Sequence, residues 1–334
     1  MTTPPSRAPS PSPAPRSPAP APADRTWAAH YDALAGVELP PGPYTQVSEW
    51  ERRSLYLLGR DRYRGFGDVV ELGSGGGGST LALAQGLAEN PRFDRTRDRL
   101  HAYDFFRVGR GTFASPKFFS DGEPGADGSF LADFRDHLAD YLDLLEIHAG
   151  DLEQTSASAG DAPVELLHVD VAKTERVFRL VAGRFLPRLV PGSTVLHQDF
   201  ASPRLPWLHH STGALLPWID VVGPPVRSTL AFVVREPIPA DVLAGIARQE
   251  AGLDEQLALI ADVQGLLGAD WTGGIPFRDV LELSKAFAAL HAGDPERAWR
   301  LAEPLQNVPY LAERRADHFD QLRRALAEPA TRRS

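Results

Sequence analysis

The feature that most constrains this chain is a short apolar run that leads directly into a glycine-dense turn. Residues 66–80 read FGDVVELGSGGGGST, and the helical pattern LALAQGLAE follows. Valines at positions 69 and 70 favour a buried strand. Five glycines between positions 73 and 78 allow the backbone to adopt unusual dihedral angles and to approach a ligand closely. The sequence therefore predicts a strand, a ligand-binding loop and a helix.

The spacing of these residues fits two nucleotide-binding patterns. Gly73, Gly75 and Gly78 satisfy GxGxxG, the pattern of dinucleotide sites, whereas Glu71 and the alternate glycines up to Gly77 satisfy ExGxGxG, which is typical of S-adenosylmethionine sites. The Glu71 carboxylate favours the second pattern, because at the mouth of the loop it would repel a pyrophosphate and attract ammonium and sulfonium charges. We predict cofactor contacts at Glu71, Gly73, Ser74, Gly75 and Gly77.

Composition narrows the class of protein. A chain of 334 residues with 43% hydrophobic and 24% charged side chains is ordinary for a globular protein. Its formal net charge of −9 leaves no basic surface for nucleic acid or an anionic membrane. The absence of cysteine excludes disulfides and thiolate metal sites. No apolar run approaches the ~20 residues of a membrane span, and the N-terminus lacks a signal-peptide core, so we expect a cytoplasmic protein acting on a small molecule.

Changes in composition predict four segments. Residues 1–24 are mainly Pro, Ala, Ser and Thr and should form a disordered tail. Residues 25–65 have aromatic and leucine side chains at helical spacing and should form a helical cap. Residues 66–236 contain the predicted strands and should bind the cofactor. Residues 237–334 are mostly helical, with one amphipathic helix expected over 242–261. We expect this last segment to be a packing or oligomerisation appendage that supports a homo-oligomer.

Five predicted strands each end at a polar or small residue. In chain order these are Gly73, Asp104, Asp151, Asp170 and Asp199. Ligands of an open α/β sheet bind beyond the carboxyl ends of its strands, so all five residues are expected on one rim. Asp104 at the tip of the second strand suits the two ribose hydroxyls, and Asp151 after the third strand suits the adenine amino group.

The last two predicted strands, residues 218–223 and 228–234, are too close together for a crossover helix and must form an antiparallel hairpin. The expected fold class is therefore α/β, a Rossmann-like doubly wound sheet with a terminal antiparallel hairpin, plus the helical cap and appendage. Such a hairpin favours a methyltransferase over a nicotinamide dehydrogenase. The segment 105–129 is too long for an ordinary connection, which indicates a lid or substrate loop.

Three further stretches resemble a known family. Residues 101–106 read HAYDFF, residues 167–170 read LHVD, and residues 185–193 read FLPRLVPGS. With the glycine loop, they resemble the class I S-adenosylmethionine-dependent O-methyltransferases, in the macrocin O-methyltransferase-like branch that includes rhamnosyl O-methyltransferase and cephalosporin hydroxylase-like proteins. The resemblance covers about residues 66–236 and implies the class I methyltransferase fold, with S-adenosylmethionine as cofactor.

The resemblance also implies a candidate metal site. Metal-dependent relatives hold a divalent cation, such as Mg²⁺, between an acid after strand four and two polar residues after strand five. The corresponding positions here are Asp170, Gln198 and Asp199. The relatives usually carry Asp-Asp or Asp-Asn at the last two positions, so Gln198 departs from the pattern by placing a neutral amide among the ligands.

A candidate base follows from the same comparison. The segment from Asp170 to Lys173 resembles the D-x-x-K element of catechol-type O-methyltransferases, in which the lysine deprotonates the acceptor hydroxyl. Of the 35 Lys and Arg residues only three are lysines, and arginine, with a pKa above ~12, cannot act as a base. We predict catalytic roles for Asp170, Lys173 and Asp199. Three histidines are alternative bases, namely His197, His209 and His210.

These observations favour an enzyme that transfers the methyl group of S-adenosylmethionine to a hydroxyl of a sugar-like or secondary-metabolite acceptor. Two alternatives stay open from the sequence. One is a non-catalytic nucleoside-binding protein that uses the helical appendage as its interaction surface. The other is an NAD(P)-dependent oxidoreductase.

Overall fold

The computed structural model describes residues 27–108, 128–267 and 274–327. The predicted tail at 1–24 lies outside these residues, as does most of the predicted lid at 105–129. Both expectations therefore stay predictions. No helix among the described residues is long and apolar enough to cross a membrane.

A seven-stranded sheet forms the centre of the molecule. Its strands are β1 (Asp68–Leu72), β2 (Leu100–Asp104), β3 (Leu145–Ala149), β4 (Val164–Val169), β5 (Leu189–His197), β6 (Ile219–Val226) and β7 (Thr229–Val234). The spatial order is β3-β2-β1-β4-β5-β7-β6. The first five strands pair in parallel, whereas β7 lies antiparallel between β5 and β6. The doubly wound α/β sheet and its terminal hairpin are confirmed.

Helices cover both faces of the sheet. They are α1 (Trp27–Leu34), α2 (Glu49–Leu57), α3 (Gly78–Glu89), α4 (Leu131–His137), α5 (Leu152–Thr155), α6 (Glu175–Arg184), α7 (Pro206–Leu215), α8 (Ala240–Arg248), α9 (Leu253–Leu267), α10 (Phe277–His291), α11 (Pro295–Ala302), α12 (Pro309–Arg314) and α13 (Ala316–Ala327). A π-helical segment, Leu58–Arg62, continues α2.

Two hydrophobic clusters fill the two faces, because successive side chains of a strand point in opposite directions. Val69 of β1 packs in the cluster that contains residues of α2, α3 and α4. Its neighbour Val70 packs in the cluster that contains residues of α6, α7 and α8. The strands β1 and β4 are buried along their whole length, which suits central parallel strands.

A buried carboxylate joins the N-terminal cap to the sheet. Glu51 of α2 forms a capping box with Ser48, and its other oxygen accepts hydrogen bonds from the Ser228 backbone N–H at 3.2 Å and hydroxyl at 2.9 Å. The Thr229 hydroxyl lies 2.8 Å from the same oxygen. The cap is thus attached to the turn between β6 and β7.

The C-terminal helices differ from the sequence expectation in one respect. The single helix predicted over Val242–Ala261 is wrong, because α8 ends at Arg248 and α9 begins at Leu253. Gln249 takes a left-handed conformation with φ 54°, and Gly252 follows three residues later. A left-handed residue cannot continue a right-handed helix, so the chain turns there. The helices α9 and α10 contribute side chains to the same hydrophobic cluster as α6 and α7.

Candidate active site

The predicted rim lines a cavity of about 490 Å³. Its walls come from the glycine loop after β1, the ends of β2, β3 and β4, and the first turns of α6. Of the five residues predicted on the rim, Gly73, Asp104, Asp151 and Asp170 line this cavity, and Asp199 lines an adjacent one. The parallel strands therefore bring together residues that are distant in the sequence.

The glycine loop has little room for side chains. Gly73 has φ +97°, and a Cβ atom there would lie 3.0 Å from the backbone of Asp170. Gly77 has φ +95° and caps α3, and a Cβ atom there would lie 3.2 Å from Phe134. L-residues rarely adopt such angles, so glycine is required at both positions. Gly73, Gly75 and Gly76 line the cavity through their backbone, whereas Gly77, which was also predicted to contact the cofactor, does not line it.

Ser74 supplies a polar group that lacks a protein partner. Its side chain is buried, and its Oγ has no hydrogen-bond partner among the described residues. Ser74 lines the cavity. A buried hydroxyl without a partner is costly, so a polar ligand in the cavity would supply the missing hydrogen bond. This loop fits the cofactor predicted from the sequence.

Asp104 lies at the tip of β2, as predicted. Its Oδ2 accepts a hydrogen bond from the Gly75 N–H at 2.9 Å, and its Oδ1 accepts one from the Phe106 N–H at 2.7 Å. Burial raises the pKa of Asp104, while these two backbone bonds oppose the shift. A carboxylate has about four acceptor positions. Those that the backbone does not use are left for a ligand such as the ribose hydroxyls.

Asp151 lies after β3 and lines the same cavity. Its side chain caps α5 by accepting a hydrogen bond from the Glu153 N–H at 2.8 Å. The residue is exposed, and its Oδ2 accepts no hydrogen bond from the described residues. This position is compatible with the adenine contact predicted for Asp151, which stays a prediction.

The placement expected for Glu71 is wrong. Its side chain is fully buried and does not line the cavity. One carboxylate oxygen accepts a hydrogen bond from the Thr80 hydroxyl, and the other lies 3.3 Å from Nδ1 of His168. Burial lowers the pKa of His168, but the Glu71 carboxylate outweighs this effect and raises it. Glu71 therefore joins β1, β4 and α3 beneath the loop, because its neighbours on those elements provide the donors that a buried carboxylate needs.

Asp170, Lys173 and Asp199 form the charged centre of the rim. The Lys173 ammonium donates a hydrogen bond to Asp170 Oδ1 at 2.5 Å and another to Asp199 Oδ2. Asp199 has φ +59°, which turns the chain directly after β5. The structure thus brings the three predicted catalytic residues together, with the ammonium between the two carboxylates.

The protonation of this group differs from the expectation. Burial lowers the pKa of Lys173, but the charges of Asp170 and Asp199 outweigh it and raise the pKa above its ordinary value. The lysine therefore keeps its proton at neutral pH, and its predicted role as a base is disfavoured. Burial raises the pKa of Asp170 to about 6, while Lys173 opposes the shift and Asp199 adds to it. Asp170 is thus the group whose pKa suits proton transfer near neutrality.

The residues do not fit the predicted metal site. Gln198 donates from Nε2 to the Ser228 hydroxyl at 3.0 Å, and its Oε1 contacts the Thr229 hydroxyl. Both ends of the amide are therefore used away from Asp170 and Asp199. Among the residues that the structure describes, the metal-type cluster of His and acidic groups is His101, Glu146 and His148, on β2 and β3.

The alternative histidine bases do not face either cavity. His209 is buried, with Nδ1 at 2.6 Å from the Ser284 hydroxyl and Nε2 at 2.8 Å from the Phe200 carbonyl. Burial lowers the pKa of His197 and of His209 to about 4, and that of His210 to about 3. All three imidazoles are neutral core residues in this structure.

Sequence reasoning missed two parts of the site. Residues 45–47, which precede α2, line the first cavity together with Val177 and Leu180 of α6. A second cavity of about 640 Å³ lies next to it and shares Gln46, Lys173 and Thr174 with it. The second cavity is also lined by Phe287 and His291 of α10 and by Gln321 of α13. No local pattern marks these residues, because only tertiary packing brings them to the rim.

One family model matches part of this chain. Residues 70–200 match the family model described as a methyltransferase domain. This segment contains the glycine loop, Asp104, Asp151, Asp170, Lys173 and Asp199. No curated protein matches the chain.

Several solved structures are similar to this chain. The O-methyltransferase NovP is 15% identical, with 62% of this chain and 88% of NovP covered at a TM-score of 0.42. CalS11, described as a TDP-rhamnose 3'-O-methyltransferase of calicheamicin biosynthesis, is 18% identical, with 62% and 92% covered at a TM-score of 0.41. An O-methyltransferase from Bacillus cereus in complex with S-adenosylhomocysteine is 17% identical, with 64% and 92% covered at a TM-score of 0.38.

Proposed function

We propose that this chain, whose residues 70–200 match a methyltransferase domain, transfers the methyl group of S-adenosylmethionine to a hydroxyl of a sugar-like or secondary-metabolite acceptor. The observation that carries this proposal is the junction of the two cavities. The first is lined by the glycine loop and Asp104, and the second lies beyond Lys173 and Asp199. Two adjacent cavities that meet at charged side chains suit a cofactor on one side and an acceptor on the other.

The first cavity would hold the cofactor. The backbone of Gly73 to Gly76 would approach it closely, the Ser74 hydroxyl would gain a partner, and Asp104 would accept hydrogen bonds from the ribose. Asp151 would bind the adenine amino group. When bound, S-adenosylmethionine supplies an electrophilic methyl group, and its transfer replaces a carbon–sulfur bond by a carbon–oxygen bond while the acceptor loses its hydroxyl proton.

The second cavity would hold the acceptor, with its hydroxyl at the junction. Asp170 would take the proton, because its pKa of about 6 makes it a carboxylate at neutral pH that is still basic enough to help. The Lys173 ammonium lines both cavities. It would orient the acceptor oxygen and stabilise the negative charge that develops there as the proton leaves.

The active unit in this proposal extends beyond the segment 66–236. The cap contributes residues 45–47 to the first cavity, and the C-terminal helices contribute a wall of the second. We therefore treat the predicted segments as parts of one catalytic unit. The homo-oligomer, the cytoplasmic location and the exclusion of nucleic-acid and membrane partners stay predictions.

The experiment that tests this function combines binding with turnover. S-adenosylhomocysteine should raise the melting temperature of the purified chain, as any ligand selective for the folded state does. A panel of hydroxylated sugars and aromatic metabolites should then be screened for methyl transfer from S-adenosylmethionine. Stronger stabilisation by NAD than by S-adenosylhomocysteine would overturn the proposal in favour of an oxidoreductase.

The variant Lys173→Arg tests the role of the lysine. If the ammonium acts as a fixed cation, arginine keeps the charge and turnover should stay within about tenfold of the wild type. If the lysine is the base, turnover should fall by ~10² or more, because a guanidinium cannot accept the proton. The readout is kcat for the best acceptor, with binding of S-adenosylhomocysteine measured in parallel.

A further inference from the structure

We infer that the second cavity contains an anion-binding subsite formed by Arg204 and Arg315, and that the acceptor carries a phosphate or carboxylate group. The inference rests on the proposed function, since it assigns a substrate class to the same cavity. It also gives the C-terminal helices a role that the sequence did not indicate. Two arginines from distant parts of the chain line one wall of this cavity.

The fold brings the two arginines together. Arg204 follows β5 in the segment that leads into α7, and Arg315 lies between α12 and α13. The Arg315 guanidinium donates to the Ala201 carbonyl at 3.3 Å, and Ala201 lines the same cavity. Arg204 donates to Asp317 Oδ2 at 2.7 Å, two residues beyond Arg315. Burial lowers the pKa of His318, Asp317 opposes the shift, and the charges of Arg204 and Arg315 lower the pKa further.

Both guanidinium groups retain buried donors without partners. The Nε of Arg204 and the Nε of Arg315 are buried and find no hydrogen-bond partner among the described residues. Each of these atoms carries an N–H that points toward no acceptor of the protein, and an unsatisfied buried donor costs free energy. An oxyanion in the cavity would be held by the terminal guanidinium nitrogens, because the Nε atoms themselves are buried.

The charges around the cavity are distributed unevenly. At the junction with the first cavity, Asp170 and Asp199 carry two negative charges against the single positive charge of Lys173. At the wall formed with the C-terminal helices, Arg204 and Arg315 carry two positive charges against the single negative charge of Asp317. Glu175 also lines the cavity, but it is paired with Arg179 at 2.6 Å. The wall formed with the C-terminal helices is therefore net positive.

An aromatic surface lies within the same cavity. Trp207 and His291 line it with ring centroids 5.5 Å apart, and Trp207 is held by a hydrogen bond from Nε1 to the Ala172 carbonyl at 2.9 Å. Burial lowers the pKa of His291, while Glu175 opposes the shift, so the imidazole is neutral at pH 7. These rings add apolar contact surface but no positive charge. The anion would therefore be recognised by the two arginines.

Arginine is suited to oxyanions. Its planar guanidinium presents several N–H donors in a fixed arrangement that matches the oxygens of a phosphate or carboxylate. An uncharged sugar would not neutralise the net positive wall. We therefore expect an acceptor with a hydroxyl near Asp170 and Lys173 and an anionic group at Arg204 and Arg315.

The test measures anion binding to the full chain saturated with S-adenosylhomocysteine. Inorganic pyrophosphate, inorganic phosphate and malonate are titrated by calorimetry at constant ionic strength set with sodium chloride, because salt screens nonspecific attraction. Saturable binding is expected in the wild type. Loss of one charge-assisted contact in Arg204→Gln or Arg315→Gln should weaken it by ~10-fold or more. The preferred anion distinguishes a phosphate-bearing acceptor from a carboxylate-bearing one.

Arg314→Gln is the matched control. Arg314 is adjacent in sequence, exposed, paired with Glu313 at 3.2 Å, and not part of the cavity lining. The Arg314→Gln variant should bind the anions with the same affinity as the wild type. Arg315→Lys keeps the charge without the guanidinium geometry, so its affinity for the anions should lie between those of the wild type and Arg315→Gln. Arg315→Lys also replaces the glutamine variant if the latter does not fold.

Two results would overturn the inference. One is the absence of saturable anion binding in the wild type, and the other is equal affinity in the wild type and in both cavity variants. In either case retained binding of S-adenosylhomocysteine would leave the proposed methyltransferase function intact. Loss of S-adenosylhomocysteine binding by the wild type would instead count against the proposed function itself.

Discussion

At the scale of single residues, the chemistry of the rim depends on one ammonium group placed between two carboxylates. Lys173 donates to both Asp170 and Asp199 and stays protonated because their charges stabilise its cation. The same arrangement limits the rise in the pKa of Asp170 that burial causes. The two carboxylates therefore determine the charge state of Lys173, and replacing Lys173 should change the titration of Asp170.

The first residue-scale prediction concerns pH. If the Asp170 carboxylate is the base, kcat/KM should fall by about tenfold per pH unit below its pKa of about 6 and level off above it. A pH–rate profile with the best acceptor measures this. Lys173→Met should move the inflection to higher pH, because it removes the positive charge that lowers the Asp170 pKa. A flat profile from about pH 5 to pH 8 would exclude Asp170 as the base.

The titration of Asp170 also changes the stability of the fold. The pKa of Asp170 is raised in the folded state from 3.8 to about 6, so the folded state binds a proton more tightly than the unfolded chain does. Its contribution to the free energy of unfolding is therefore greatest below about pH 4 and is lost as the pH rises through about 6. Asp170→Asn should remove this dependence, as thermal unfolding at several pH values would reveal.

The second residue-scale prediction concerns Asp104. Replacing it by alanine removes the acceptor for the Gly75 and Phe106 N–H groups as well as the proposed ribose ligand. Affinity for S-adenosylhomocysteine should fall by ~1–3 kcal/mol, the range for charge-assisted hydrogen bonds. Calorimetric titration measures the loss. Asp143→Ala is the control, since this exposed residue pairs with Arg95 and does not line the cavity, and equal losses in both variants would contradict the role of Asp104.

At the scale of elements, the cap and the terminal hairpin are joined through a buried polar network. Glu51 of α2 accepts hydrogen bonds from Ser48 at one oxygen and contacts Ser228 and Thr229 at the other. The same turn holds both ends of the Gln198 amide. The network explains why Gln198 is directed away from the Asp170–Asp199 pair, since its amide is already satisfied there.

The element-scale prediction is that Glu51→Ala destabilises the fold. The change leaves several donors of residues 48, 228 and 229 without their acceptor, and each buried unsatisfied group costs ~1–3 kcal/mol. The midpoint of denaturant unfolding should therefore decrease clearly. Glu49→Ala, two residues earlier and 64% exposed at its side chain, should change the midpoint little. Equal midpoints for the two variants would show that the network contributes no stability.

At the scale of the whole molecule, the C-terminal helices are continuous with the core of the sheet. Side chains of α9 and α10 belong to the same buried cluster as Val70 of β1 and Leu208 of α7; the large ones are Ile260, Val263, Leu267, Phe277 and Leu281. The helices α10, α11 and α13 also form a cluster of their own. The segment thus packs on the sheet while it presents residues to the second cavity.

The whole-molecule prediction is that a chain ending at residue 239 will not fold. Removing α8 to α13 deletes five large buried side chains of α9 and α10 and exposes the core residues that they cover. Burial of each such side chain stabilises the fold by ~1.5–3 kcal/mol. That sum is comparable with the ~5–15 kcal/mol that stabilises a typical domain. Circular dichroism and S-adenosylhomocysteine binding would measure the outcome. Deletion of residues 1–24 is the control and should be tolerated, given its composition, whereas a folded, cofactor-binding truncation would establish an independent appendage.

Local signals in the sequence were sufficient to predict the sheet and the edge of the sheet at which the first cavity lies. Apolar runs of strand length, the glycine loop and the short link between the last two strands predicted the sheet and its terminal hairpin. The expected rim also followed, since residues that close parallel strands must meet at one edge. Gly73, Asp104, Asp151 and Asp170 line the first cavity for that reason.

Only the tertiary structure decided the chemical state of these residues. The burial of Glu71 beneath the loop, the protonated Lys173 and the displaced Gln198 amide all depend on partners from other strands and helices. The wall that carries Arg315 comes from a helical segment more than a hundred residues away from Arg204 in the sequence. A pKa or a side-chain orientation is determined by charges and donors within a few ångströms, and long-range packing alone determines which groups those are.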